Sequence, residues 1–283
     1  MQLPHIFCVA FPYRPVRPGL ARAHAIIQNR IIGHQRLTTW NDMKLTQFKA
    51  LTFDVYGTLI DWESGMIAAL RKLTDRLPQK LGRNQILEAH AFHESTSQRL
   101  TPTKSYSMLL ALVHKRLAEE WEIPVDWNEC VEYGQSVKNW PAFPDSAEAL
   151  RYLKRHYRLG VLSNTDNESF AHSNARLHVE FDATFLASDM GSYKPDRRNF
   201  DYMIENLARR GIEKHEILHI AESMFHDHVP ARACGIANCW IYRRHAEEGF
   251  GATMEPAEMP GYDLMFHSLA DLVKAHRTEL VSR

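Results

Sequence analysis

A chain of 283 residues, 45% of them hydrophobic, is long enough to bury a full core as one large domain or as a domain carrying an insert. Lys plus Arg and Asp plus Glu both number 34, so the formal net charge is zero and no long-range field draws nucleic acid or an anionic membrane. No stretch approaches the roughly 18 consecutive apolar residues of a membrane span. The four cysteines, Cys8, Cys130, Cys234 and Cys239, form no CxxC pair and no metal-ligand spacing. They read as free thiols in a reducing compartment, so a cytoplasmic globular protein is expected.

The first 42 residues stand apart. Arg14, Arg17, Arg22, Arg30 and Arg36 occur before any acid, and Pro4, Pro12, Pro15 and Pro18 break every early periodicity. Serine is absent, which argues against an organellar transit peptide, and the apolar run Ile6 to Phe11 lacks a basic flank for secretion. Residues 1–42 are expected to be a poorly ordered extension upstream of a domain that opens at Met43-Lys44-Leu45.

The run Ala50-Leu51-Thr52-Phe53 reads as a buried strand entering the glycine turn Asp54-Val55-Tyr56-Gly57-Thr58. Helical spacing follows at Ile67, Leu70, Leu73 and Leu77, and ends at Pro78. Further helices are expected over about Asn84 to Leu100, Tyr106 to Trp121 and Val131 to Lys138, with no strand among them. Trp140-Pro141-Ala142-Phe143-Pro144 reads as a return hinge, and Asp145 with Glu148 resembles a capping box. Strands are then expected at Arg158–Leu162, Ala183–Leu186, Ile217–Ala221, Ala237–Tyr242 and Leu264–Phe266, separated by helices such as Asn199–Arg210 and Val229–Cys234. This alternation predicts an α/β fold, a doubly wound parallel sheet with an inserted α-helical cap. The core is assigned to 43–64 and 141–283, and the cap to 65–140.

Polar groups recur where strands end: Asp54; Ser163-Asn164; Lys194 before Pro195; and Asp227 beyond the fourth strand. Taken singly each has an ordinary reading, as a turn residue, a surface charge or a helix N-cap. Together they lie where ligands of open α/β sheets bind.

Asp-x-Tyr-Gly-Thr, a serine strand end, a lysine and an acidic motif, in that order, resemble the haloacid dehalogenase superfamily over about Met43 to the C-terminus. Superfamily phosphatases carry a second aspartate where this chain has Tyr56, and Tyr-Gly-Thr resembles the L-2-haloacid dehalogenases. A halide leaves without protonation, whereas an alkoxide needs a general acid. The resemblance implies that Asp54 attacks C2 of a short 2-haloalkanoic acid and that water hydrolyses the aspartyl ester, without cofactor or metal. Thr58, Lys194 and Asp227 would be the other catalytic residues. Val55, Tyr56, Ser163 and Asn164 would bind substrate, with Arg99 the candidate halide receptor on the cap. The partners implied are the 2-haloacid and water, with no nucleic acid or membrane and with room for a homodimer.

The chain departs from the dehalogenase pattern at Glu222 and Met224, where that pattern has Ser and Asn, and at Phe200, where it has Tyr. Glu222 and Asp227 resemble the acidic pair with which phosphatases hold Mg²⁺, using Asp54 and the Tyr56 carbonyl as well, unless Glu222 simply pairs with Lys194. A Mg²⁺-dependent small-molecule phosphatase is therefore the alternative enzyme, and a carboxylate-binding protein without turnover is a third reading. His226 and His228 read as helix-start histidines, since no third ligand is suitably spaced.

Overall fold

The computed structural model describes residues 43–282. The expectation of a poorly ordered extension over 1–42 lies outside the described residues. Six parallel strands, β1 (Ala50–Phe53), β2 (Arg158–Ser163), β3 (Ala183–Leu186), β4 (Ile217–Ala221), β5 (Ala237–Ile241) and β6 (Leu264–Phe266), lie in the order β3-β2-β1-β4-β5-β6. β1 and β4 are buried at every position, as apolar strands covered on both faces must be. Central β1 pairs with β2 on one side and β4 on the other, with Phe53 opposite Val161 and Ile220. The strand order reverses at β1, so Asp54 emerges at the crevice where such sheets bind ligands.

Four α-helices lie between β1 and the hinge at 140–144: α1 (Trp62–Thr74), α2 (Arg83–Leu100), α3 (Tyr106–Glu120) and α4 (Trp127–Gln135). Asp61 caps α1 by accepting the Ser64 N–H at 3.2 Å. The chain leaves and re-enters the core through two paired stems. Asp61 N–H donates to the Pro141 carbonyl at 2.8 Å, and Phe143 N–H to the Leu59 carbonyl at 3.0 Å. Trp140, at the returning stem, packs against Gly65 of α1; a Cβ there would stand 2.3 Å from the indole Cδ1, so only glycine admits this contact.

After the hinge come α5 (Ser146–Leu153), α6 (Asn167–Leu177), the single turn α7 (Ala187–Met190), α8 (Arg197–Ala208), α9 (Val229–Cys234) and α10 (Leu269–Val281). The capping box expected at Asp145 does not form. Asp145 Oδ2 instead accepts the N–H groups of Leu269 (2.8 Å) and Ala270 (3.2 Å) at the start of α10, and Arg243 Nη1 (3.0 Å). A helix N-terminus with a guanidinium beside it outcompetes the aspartate's own helix. The segment between β5 and β6, unassigned from sequence, ties core to cap. Arg244 pairs with Glu63 of α1 and donates through Nη2 to Asn84 of α2 at 3.2 Å, and Ala252 N–H reaches Glu63 Oε1 at 3.1 Å. Among the described residues no helix is long and apolar enough to cross a membrane.

Candidate active site

Asp54 N–H donates to the Ile220 carbonyl at 3.0 Å, extending the β1–β4 pairing by one residue before the chain turns. The Val55 carbonyl then gathers the N–H groups of Thr58 (3.3 Å), Leu59 (2.8 Å) and Ile60 (2.9 Å), while Gly57 takes a left-handed φ of +95° that a side chain would strain. This turn folds Thr58 back against Asp54. Its Oγ1 accepts the Glu222 N–H (2.9 Å) and donates to Asp54 Oδ2 (2.8 Å), so its hydrogen is directed at the carboxylate.

Lys194 is buried and all three of its hydrogens are directed. Nζ donates to Asp54 Oδ1 (2.9 Å), Asp227 Oδ1 (2.6 Å) and the Leu162 carbonyl (2.9 Å). Its main chain is clasped by Asn164, whose Oδ1 accepts Lys194 N–H (2.6 Å) and whose Nδ2 donates to the Lys194 carbonyl (3.0 Å). Beneath Asp227 lies a pair that sequence reasoning missed. His219 Nε2 is 2.9 Å from Asp227 Oδ1, and Nδ1 is 3.0 Å from Thr52 Oγ1 on β1. A lone histidine inside Ile217-Leu218-His219-Ile220-Ala221 was the available signal, since a buried polar group needs partners.

Burial pushes the Asp54 carboxyl above the ordinary aspartate range, with Asp227 adding to the rise and Lys194 and Thr58 opposing it. Asp227 meets the same burial, yet Lys194 and His219 together hold it well below that range. Lys194 rises above its ordinary value: burial opposes this, and the two carboxylates outweigh it. The arrangement can therefore offer one carboxylate oxygen for attack while Asp227 stays charged beside it.

A family model described as haloacid dehalogenase-like hydrolase matches residues 48–227. The chain belongs to this family. The (S)-2-haloacid dehalogenase of Pseudomonas sp. (strain YL) is 25% identical over 204 residues, 69% of this chain and 83% of that protein. Haloacetate dehalogenase H-2 of Moraxella sp. (strain B) is 25% identical over 242 residues, 80% of this chain and all (100%) of that protein. The structure of L-2-haloacid dehalogenase from Xanthobacter autotrophicus with chloropropionic acid covalently bound is similar at a TM-score of 0.65 and 20% identity, covering 81% of this chain and 98% of that one.

Within this haloacid dehalogenase-like hydrolase, several residues sit differently from the sequence expectation. Asp54, Tyr56, Ser163, Asn164, Lys194 and Asp227 all line one cleft, but the Asn164 amide is committed to the Lys194 backbone. Val55 is fully buried and contributes its carbonyl to the turn. Arg99 is exposed in the last turn of α2 and does not line the cleft; the cap residues that do are Glu94, Gln98 and Tyr106. Phe200 packs edge-on against His219 with ring centroids 5.2 Å apart. Tyr56 packs against Tyr106 and Trp140, and its hydroxyl lies 3.0 Å from Ser173 Oγ and 3.5 Å from Thr165 Oγ1. Burial pushes that hydroxyl up to about 12, so it keeps its proton.

Glu222 does not pair with Lys194. Burial and the neighbouring Glu63 charge push its carboxyl well above the ordinary range. Lys194 places its ammonium between Asp54 and Asp227, two of the oxygen donors such a cation would need. Among the described residues no group of three or more His, Cys, Asp or Glu side chains is placed to hold a metal ion, so they do not fit the Mg²⁺ site considered from the spacing of Glu222 and Asp227. His226 and His228 lie in one π-helical turn, Met224–His228, capped by Ser223. His228 is held between Asn238 Oδ1 (2.9 Å) and the Ala221 carbonyl (3.1 Å), whereas His226 lines the cleft.

Proposed function

We propose that this hydrolase displaces halide from C2 of a short 2-haloalkanoyl compound, the class to which the 2-haloalkanoic acids belong. Asp54 attacks C2 opposite the halogen; the new C–O bond forms as the C–halogen bond breaks, and halide leaves with the bonding pair. Water then attacks the Asp54 carboxyl carbon and the ester opens to a 2-hydroxy product, a proton and free Asp54. Lys194 and Thr58 orient the attacking carboxylate, and Asp227 Oδ2, buried and without a hydrogen-bond partner among the described residues, is suited to hold the water.

The observation that carries this reading is Tyr56. It stands where a phosphoryl-transfer enzyme needs a second carboxylate, and its protonated hydroxyl is engaged by Ser173 and Thr165. A halide needs no proton to depart, so the substitution is compatible with carbon–halogen cleavage. The test is halide release from 2-chloropropionyl compounds in EDTA, by the natural chain and by Asp54→Ala. Turnover in H₂¹⁸O should place ¹⁸O in the Asp54 peptide. Halide release that persists in Asp54→Ala would refute the role of Asp54.

A further inference from the structure

The cleft over Asp54 contains three carboxyl side chains, Asp54, Asp227 and Glu94, and one ammonium, Lys194. That ammonium is saturated by Asp54, Asp227 and the Leu162 carbonyl. An entering carboxylate would meet like charge and no uncommitted cation, and like-charge juxtaposition discriminates against a ligand.

Glu94 is built into the cap. His90, Glu94 and Gln98 recur every four residues on one buried face of α2. Gln98 Nε2 donates to Glu94 Oε1 at 3.1 Å, and His90 Nδ1 lies 3.4 Å from Glu94 Oε2. Behind them, the Tyr133 hydroxyl is 2.7 Å from His90 Nε2. Burial, reinforced by the Glu94 charge, keeps Tyr133 protonated, so we assign its hydrogen to His90 Nε2 and the imidazole hydrogen to Nδ1, facing Glu94. The Tyr106 hydroxyl, also in the cleft, donates to Glu94 as well, so three donors face the roughly four lone-pair sites of this carboxylate and about one stays open to a ligand.

The core side presents donors. Ser163 Oγ and His226 Nε2 are buried, belong to cleft-lining residues and have no hydrogen-bond partner among the described residues. His226 Nδ1 lies 3.1 Å from the Ser223 hydroxyl, and burial lowers the imidazole to about 4. The ring is therefore neutral near pH 7, with its hydrogen assigned to Nε2.

We infer that the site takes an uncharged 2-haloalkanamide in preference to a 2-haloalkanoate, Glu94 receiving the amide N–H while Ser163 and His226 donate to its carbonyl oxygen. This inference rests on the reading of Asp54 as the group that displaces halide. The chemistry balances as before: amide and water give the 2-hydroxyamide, a halide ion and a proton.

The test compares 2-chloropropionamide with 2-chloropropionate, a pair of the same shape that differs in NH₂ against O⁻. The natural chain should favour the amide by about tenfold or more in kcat/KM. Glu94→Gln should lose most of that preference and Glu94→Arg should reverse it. Equal or faster release from the carboxylate by the natural chain overturns the inference and leaves the role of Asp54 standing. Release from neither compound overturns that role, and calorimetry on Asp54→Asn then decides recognition by itself. Amide binding about tenfold tighter than carboxylate supports it; equal or weaker amide binding overturns it.

Discussion

Replacing Asn164 by alanine separates positioning from substrate binding. The amide makes two hydrogen bonds to the Lys194 main chain, at 2.6 and 3.0 Å. At about 0.5–1.5 kcal/mol net each, their loss costs about 1–3 kcal/mol. A domain of this size moves by roughly 2–4 °C per kcal/mol, so the melting midpoint should fall by roughly 2–12 °C. With its backbone released, Lys194 holds Asp54 and Asp227 less firmly. In halide-release kinetics kcat should therefore drop while KM moves by less than about threefold. A group that held substrate would do the opposite, raising KM and leaving the melting midpoint alone. A tenfold rise in KM with unchanged kcat and midpoint would refute the positioning argument. Asn164→Asp retains the acceptor for Lys194 N–H but sets a carboxylate oxygen against the Lys194 carbonyl, so it should not restore the parent midpoint.

Two further expectations concern pH and the cap. On the proposed reading Asp54 attacks only when ionised; its carboxyl lies above the 3.8 of an unperturbed aspartate, so the acid limb of kcat/KM should fall above that value. Asp227 is shifted downward, so its contribution to stability is present above 3.8 and is lost only as pH falls through its lower folded value. Activity should thus vanish on acidification while circular dichroism is still native, and coincident loss of both would contradict this. Arg99 is exposed and outside the cleft, so Arg99→Ala should change kcat/KM by less than about twofold and stability by less than about 0.5 kcal/mol. A large rise in KM would return Arg99 to the site.

The residues legible from sequence are those whose position follows from a strand ending. Asp54, Ser163, Lys194 and Asp227 each follow an apolar run or a turn, and strand ends on a parallel sheet converge whatever the loops between them do. Strand positions were legible for the same reason, with β3, β4 and β6 found at the expected residues and β2 and β5 shifted by one at an end. Glu94 and Gln98 were not, because a cap helix reaches the site only through tertiary packing. Their signal was a polar triplet, His90, Glu94 and Gln98, on one helical face, indistinguishable in sequence from a solvated stripe. Asn164 illustrates a different limit. Its place was evident, but that its amide faces the Lys194 backbone depends on a contact between segments 30 residues apart.

The two stems at the hinge bear on how such a protein acquires new specificities. The outgoing segment at Leu59 to Asp61 and the returning one at Pro141 to Phe143 are hydrogen-bonded side by side, at 2.8 and 3.0 Å. Everything between them is topologically an appendage whose ends the sheet already holds together. Doubling the length of a loop so closed adds only about 0.6 kcal/mol of closure entropy. Evolution can lengthen, shorten or exchange the helices that carry Glu94 without disturbing the strands that carry Asp54. On the proposed reading, reaction and selectivity are thereby inherited on separate pieces of one chain.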